Sequence, residues 1–255
     1  MSDLPDLTDP WAVRSHLDSS DSVVGAKHAF MHDRVYAVFE ANYSDLDDLL
    51  RPLRDDPPVI RHMLREGEIR DWFASVDRAL FNFIAAVDAV ADHASALRAR
   101  VGLPKGDFND LKSAAYRVPE FAFVCELRNF ILHSASVEMT AGYSVGTDEE
   151  KSRLVVDLRA IQRVGGHKWE RNAQKYFEAR EAFGSDPTLE EVIEPAVAAT
   201  RAWHMGIHQL ITGIYQASIE SDQTVVDAFN AAYPSNQLHV WESLVGCAVS
   251  PAAGR

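Results

Sequence analysis

The chain has 255 residues, a hydrophobic content of 47% and a formal net charge of −13 at pH 7. This length can bury a substantial core in one large domain or in two small ones. The negative charge excludes a broad basic face that would coat a nucleic acid. No apolar stretch approaches the roughly 20 residues of a membrane span. The acidic start, Met1-Ser2-Asp3, lacks the pattern of a signal peptide.

The two cysteines, Cys125 and Cys247, are too few for a disulfide framework. Cys125 stands in an apolar run, which is typical of a small buried residue. A reducing compartment suits such a chain, so we expect a cytoplasmic protein that has no membrane partner.

Residues 1–60 are predicted to form an N-terminal helical extension. Helix-start signals occur at Thr8-Asp9-Pro10 and at Ser20-Asp21, and a short helix is expected over residues 44–53. The proline-rich cluster at residues 51–58 then ends this part of the chain. The main domain is predicted over residues 61–250, and residues 251–255 are predicted to be a frayed tail.

Three helices are predicted at the start of the main domain. Residues 68–101 carry apolar side chains at three- and four-residue spacing, and Gly102 with Pro104 ends that pattern. A second helix is expected to begin near Asp107. A third is expected over residues 119–133, because proline is tolerated in the first turn of a helix.

The spacing of apolar residues changes after the third helix. Residues 136–143 and 153–158 are predicted to be strands joined through residues 146–148, so a β-hairpin is expected near 136–158. Helices are then expected over residues 167–182 and 186–219, and a shorter one is expected to start at Ser221-Asp222 and end near Pro234. The sequence therefore predicts a mainly α protein with a small β-hairpin insert.

The segment Glu126-Leu127-Arg128-Asn129-Phe130-Ile131-Leu132-His133 carries the groups that phosphodiester chemistry needs without a metal. A guanidinium can hold a phosphate, an imidazole can transfer a proton near neutrality, and an amide can orient either group. An arginine five residues before a histidine is expected roughly 0.7 times by chance in such a chain. The asparagine after the arginine lowers that expectation to roughly 0.02.

Helical geometry separates the polar groups of this segment. Asn129 and His133 share one flank and Arg128 lies on the other. A second apolar strip of Phe121, Cys125 and Leu132 lies between the flanks, opposite the main apolar stripe. Such a helix is either wholly buried or faces a partner, and a two-fold interface would bring two copies of each polar group into one cleft. A purely structural interpretation is that Arg128 pairs with a carboxylate and His133 stabilises the helix C-terminus.

This arginine–polar–x–x–x–histidine signature, on a helix that follows a long helix, resembles the HEPN superfamily. Pro119-Glu120-Phe121-Ala122-Phe123 leads into Leu127-Arg128-Asn129 in the same way, and the preceding helix carries Leu80-Phe81-Asn82-Phe83. The resemblance covers residues 68–135 well and the later elements only loosely. It implies a helical bundle that forms a homodimer, with paired motifs lining a cleft, and metal-independent RNA cleavage without a cofactor.

The resemblance also implies a role for each motif residue. Arg128 would bind the scissile phosphate, His133 would act as general base or acid for attack by the 2′-hydroxyl, and Asn129 would orient the pair. RNA is then the substrate. A toxin or antiphage setting would add an antitoxin or another regulatory protein as a partner.

Two other functions remain open from the sequence. His204 and His208 are four residues apart on a predicted helix, a spacing that can place two imidazoles on one metal. The other function is a noncatalytic helical interaction module, because the acidic composition suits a protein or regulatory partner as well as it suits solubility. Residues 151–175 differ from that composition, because this segment contains seven basic residues and only two acidic ones, Asp157 and Glu170. Such a local basic segment suits a small phosphate footprint or a solvated face.

Overall fold

The computed structural model describes residues 5–56, 58–133, 136–145, 150–164 and 167–233. The predicted tail at 251–255 and the predicted turn at 146–148 lie outside these residues. The described elements are α1 (Pro10–Asp18), α2 (Asp21–Asp55), α3 (Val59–Glu66), α4 (Ile69–Val101), α5 (Lys105–Tyr116), α6 (Pro119–His133), β1 (Met139–Val145), β2 (Glu150–Val156), α7 (Leu158–Arg163), α8 (Arg171–Phe183) and α9 (Leu189–Ala232). The predicted mainly α fold with a small hairpin is confirmed.

The first part of the chain contains a longer helix than predicted. Asp9 caps α1, and its carboxylate accepts a hydrogen bond from the Trp11 N–H at 2.9 Å. The prediction of a separate short helix at residues 44–53 is wrong, because α2 continues without interruption from Asp21 to Asp55. Pro52 lies in the last turn of α2, where little helix remains for it to disrupt.

The three helices α4, α5 and α6 lie close to their predicted positions. The apolar residues that predicted α4 are buried, among them Val76, Leu80 and Phe83. Gly102 follows α4 with φ of 71°, the left-handed conformation that a glycine adopts at low cost. Pro119 starts α6, as expected from its fixed φ.

The hairpin is an antiparallel pair whose register joins Met139 to Val156 and Val145 to Glu150. Leu154 and Val156 of β2 point to the buried side. Immediately after β2, Asp157 caps α7 by accepting a hydrogen bond from Ala160 N–H at 2.7 Å. The sequence did not predict α7, because its first residue, Leu158, was assigned to the end of the predicted strand at residues 153–158.

The last helix, α9, has 44 residues and runs without a break to Ala232. The predicted restart at Ser221-Asp222 is therefore wrong. Asp222 is 2% exposed and its carboxylate accepts a hydrogen bond from the Ser22 hydroxyl of α2, so it is a buried partner and not a helix cap.

The chain divides into two compact units, and the boundaries lie within α2, α4, α5 and α9. Unit 1 comprises Met1–Arg34, His93–Phe108 and Met205–Arg255, and unit 2 comprises Val35–Asp92 and Asn109–His204. One hydrophobic cluster of unit 1 consists of Val13, Leu17, Val225, Val226 and Phe229. Among the described residues, no helix is long and apolar enough to span a membrane.

Candidate functional site

Helix α6 of unit 2 carries the candidate site, and aromatic packing fixes its orientation. The Phe123 ring stacks on Tyr176 of α8 with centroids 4.7 Å apart, and Phe130 stacks on Trp169 at 5.4 Å. Both phenylalanines are completely buried. Because these contacts turn one side of α6 towards α8, the residues on its opposite side are held in a defined direction.

Arg128 lies at the surface and contacts an acidic residue of α4. Its Nη1 is 2.9 Å from Oδ2 of Asp88, and the two side chains are 40% and 21% exposed. Burial raises the pKa of Asp88, the Arg128 charge lowers it, and nearby Asp92 raises it. The ion pair is what the structural interpretation of Arg128 predicts. It also fixes the direction of the guanidinium.

Asn129 and His133 are exposed on the other flank of α6. His133 is the last residue of the helix. At 1.5 Å and 100° per residue, His133 lies about 7.5 Å along the axis and about 140° around it from Arg128. The structure therefore places the three motif residues on one helix, with Arg128 on one flank and Asn129 and His133 on the other.

The second apolar strip of α6 is covered at one end and open at the other. Phe121 is buried against Tyr116 and Trp203 at centroid distances of 5.3 and 5.8 Å. Leu132, at the other end, is 50% exposed. Leu132 thus lies between Arg128 and the Asn129–His133 flank.

Cys125 is not a nucleophile in this structure. It is 8% exposed, and burial raises the pKa of its thiol to about 12. A neutral thiol is a poor nucleophile and metal ligand. Its sequence interpretation as a small buried residue is confirmed.

Glu126 connects α6 to the segment before α8. Its carboxylate is 3.5 Å from His167 Nε2 and accepts a hydrogen bond from the Glu170 backbone N–H. Burial and the Glu170 charge raise the pKa of Glu126, whereas His167 lowers it. Glu126 shares its flank of α6 with Asn129 and His133, so this segment lies beside the candidate site.

The metal alternative gains no geometric support. The His204 ring stacks on Tyr36 at 3.8 Å within unit 2, and His208 Nε2 lies 3.9 Å from Asp33 Oδ2 within unit 1. Within the described ranges, no group of three or more His, Cys, Asp or Glu side chains is placed to hold a metal. His204 and His208 therefore take part in packing and charge contacts with different residues.

Sequence reasoning found the motif but missed Asp88 and His167, the residues that hold Arg128 and Glu126. Asp88 lies between Val87 and Val90 in the apolar pattern of α4. An acidic residue beside a buried stripe could have indicated that this carboxylate needs a cationic partner. His167 follows two glycines in a predicted connection and carried no comparable signal.

Comparison of the chain with protein-family models, with curated proteins and with solved structures found no match. The functional argument therefore depends on the residues and their geometry, together with the motif resemblance.

Proposed function

We propose that this protein is a metal-independent endoribonuclease of HEPN type, in which Arg128 and His133 of α6 carry the chemistry. The observation that supports the proposal best is the open surface around Leu132. Arg128, Asn129 and His133 surround this half-exposed apolar side chain on an otherwise well-packed helix. A binding surface commonly combines an exposed apolar residue with polar groups beside it.

The proposed reaction is an intramolecular transesterification of RNA. The 2′-hydroxyl attacks phosphorus, the bond to the 5′-oxygen breaks, and the products are a 2′,3′-cyclic phosphate and a 5′-hydroxyl end. One imidazole accepts the proton from the 2′-hydroxyl, and an acid returns a proton to the 5′-oxygen. Arg128 binds the phosphate and stabilises the charge that develops on its oxygens, and Asn129 orients the reacting groups.

A homodimer through the Leu132 surface would supply the second proton-transfer group. Isologous pairing would bury Leu132 against its copy and would bring two His133 side chains into one cleft. One imidazole could then act as base and the other as acid. An antitoxin or regulatory partner and a cytoplasmic location belong to this proposal as its biological setting.

A noncatalytic interaction module is the second candidate, and the Arg128–Asp88 ion pair favours it. In that case Arg128 stabilises the packing of α4 on α6, His133 completes the helix end, and Leu132 is a contact for another protein.

The test is cleavage of a mixed, end-labelled RNA in EDTA. We expect wild-type protein to produce cyclic-phosphate ends, and we expect His133→Ala and Arg128→Ala each to lower the rate at least 100-fold. His62→Ala is the matched control, because His62 is also an exposed helical histidine but lies on α3, outside the motif.

Circular dichroism and light scattering of every variant show whether fold and oligomeric state are kept. Cleavage by His133→Ala at the wild-type rate would rule out the catalytic role of this residue. A folded wild-type protein that leaves RNA intact as a dimer would favour the interaction module.

A further inference from the structure

A groove of unit 2 lies between the end of α5 and the start of α8. Its volume is about 490 Å³, a size that accommodates a small ligand such as a nucleotide. The lining residues are Lys112, Ser113, Tyr116, Arg117, Glu170 and Asn172. Two of the six, Lys112 and Arg117, are cations, and one, Glu170, is an anion.

More positive charge surrounds this groove. Lys168 and Arg171 flank Glu170 in the chain, and Lys175 follows Asn172 by three residues, so Lys175 and Asn172 are neighbours on α8. These three cations are exposed. They belong to the basic segment at residues 151–175, so charge there opposes the net charge of the whole chain. An anionic ligand would be attracted to this place and repelled elsewhere.

The groove is connected directly to α6. The Tyr116 ring packs against Phe121, and its hydroxyl shares a hydrogen bond with the Cys125 thiol. Glu170 binds Glu126 through its backbone N–H. Glu126, Asn129 and His133 share one flank of α6, so the contact of Glu126 with Glu170 joins the groove to that flank. A strand leaving the groove past Glu126 would reach His133 after about 10.5 Å along the helix axis.

We propose that this groove, which we call the α5–α8 groove, binds the phosphates of single-stranded RNA next to the scissile bond. This inference rests on the proposed ribonuclease function and names the substrate form. Lys112, Arg117 and Lys175 neutralise the phosphates, and Asn172 offers an amide to a base edge or a 2′-hydroxyl. Tyr116 provides an aromatic ring in the groove wall, and bases of single-stranded RNA commonly stack on such rings.

Single-stranded RNA fits this surface better than a duplex. The groove is short and the chain carries a net charge of −13, whereas a duplex would extend beyond the groove and place many phosphates against the rest of this acidic protein. A single strand can bend from the groove along the flank of α6 and present a flexible phosphodiester to Arg128 and His133.

The test measures binding separately from cleavage. A fluorescent single-stranded RNA of ten nucleotides is titrated with His133→Ala protein at several salt concentrations. We expect Lys112→Glu/Arg117→Glu/Lys175→Glu in this background to weaken binding at least tenfold. The slope of log K against log salt should decrease in magnitude by about 2, because three phosphate contacts at about 0.7 each are lost.

The control triple variant, Arg65→Glu/Arg70→Glu/Arg78→Glu, changes the net charge by the same amount on exposed residues of unit 2 outside the groove. It should weaken binding less than threefold. Equal losses in the two triple variants, or no RNA binding by the parent protein, would overturn the proposal. If circular dichroism shows that the glutamate variant is unfolded, a variant with glutamine at the same three positions replaces it. This glutamine variant should still weaken RNA binding more than glutamine at the three control positions does.

Cleavage by wild-type protein is measured in parallel. RNA binding that depends on the groove without any cleavage would support the groove and reject the ribonuclease. Cleavage that the groove variant leaves unchanged would support the ribonuclease and reject the groove.

Discussion

Arg128 contacts the carboxylate of Asp88, and in the proposed reaction it would also bind a phosphate of RNA. A guanidinium has five N–H donors in a planar fork, and the Asp88 contact is made through Nη1. Nε and Nη2 retain donors for a phosphate. The ion pair with Asp88 is therefore compatible with a catalytic Arg128, and it would hold the guanidinium in position before RNA arrives.

The two roles of Arg128 separate in a double-variant experiment. Arg128→Ala should lower the free energy of unfolding by about 1–2 kcal/mol, because Asp88 loses its cation in a half-buried place. Adding Asp88→Asn should recover about half of this loss, since the neutral amide needs no counter-charge. Urea unfolding followed by circular dichroism measures both changes.

Cleavage assays on the same proteins then distinguish the roles. If Arg128 binds phosphate, the double variant recovers stability and remains inactive. If activity returns together with stability, Arg128 is structural and its proposed contact with phosphate is wrong. Asp88→Asn alone keeps the guanidinium and serves as the control.

At the level of residues, the sequence is informative where groups are close in the chain. Arg128, Asn129 and His133 lie within one helix, so their relative positions follow from helical geometry alone. Asp88 belongs to α4, and its contact with Arg128 depends on how α4 packs against α6. No local pattern specifies that packing, which is why the pair was not assigned before the structure.

At the level of elements, unit 1 contains a close approach between α2 and α9. A Cβ added at Gly25 would lie 2.3 Å from Cδ2 and 2.5 Å from Cγ of Tyr215. These atoms are near the root of the ring, so a small rotation of the side chain cannot relieve the overlap. Gly25 is thus required by packing, despite the entropic cost of glycine within a helix.

Gly25→Ala should therefore lower the free energy of unfolding by about 1–3 kcal/mol through overpacking. Gly213→Ala is the matched control, because it lies in α9 with no heavy atom within 4 Å of its added Cβ. That change should stabilise the protein by up to about 1 kcal/mol. Thermal unfolding of both variants checks the opposite signs. Stabilisation by Gly25→Ala would show that α2 and α9 do not approach as described.

Element boundaries were predictable from sequence where a stop signal coincided with the end of a periodic pattern. Gly102, directly after α4, is such a stop signal, and Pro119, the first residue of α6, is the corresponding start signal; both helices were predicted correctly. Ser221-Asp222 was misleading because serine and aspartate are common helix caps. In the structure Asp222 instead accepts a hydrogen bond from Ser22 of α2 within the continuous helix α9. A contact between segments so far apart in the chain leaves no local pattern in the sequence.

At the level of the whole molecule, the charge distribution favours different responses of folding and RNA binding to salt. A net charge of −13 produces self-repulsion in the compact state, and added salt screens it. The surface ion pairs that salt also weakens, such as Arg51 with Asp47, are exposed and contribute little. In contrast, the proposed phosphate binding by cations of the α5–α8 groove would release counterions and would weaken as salt rises.

Raising KCl from 20 to 300 mM should therefore increase Tm and decrease RNA affinity in the same preparation. A stabilisation of about 1 kcal/mol corresponds to an increase of about 2–4 °C in Tm for a chain near this size. Calorimetry and RNA anisotropy across the salt series measure the two slopes. The Lys112→Glu/Arg117→Glu/Lys175→Glu variant provides the control, because its greater negative charge should preserve the increase in Tm while its RNA slope becomes smaller. A decrease in Tm with salt would mean that ion pairs contribute more to stability than self-repulsion removes, which would contradict this view of the acidic body.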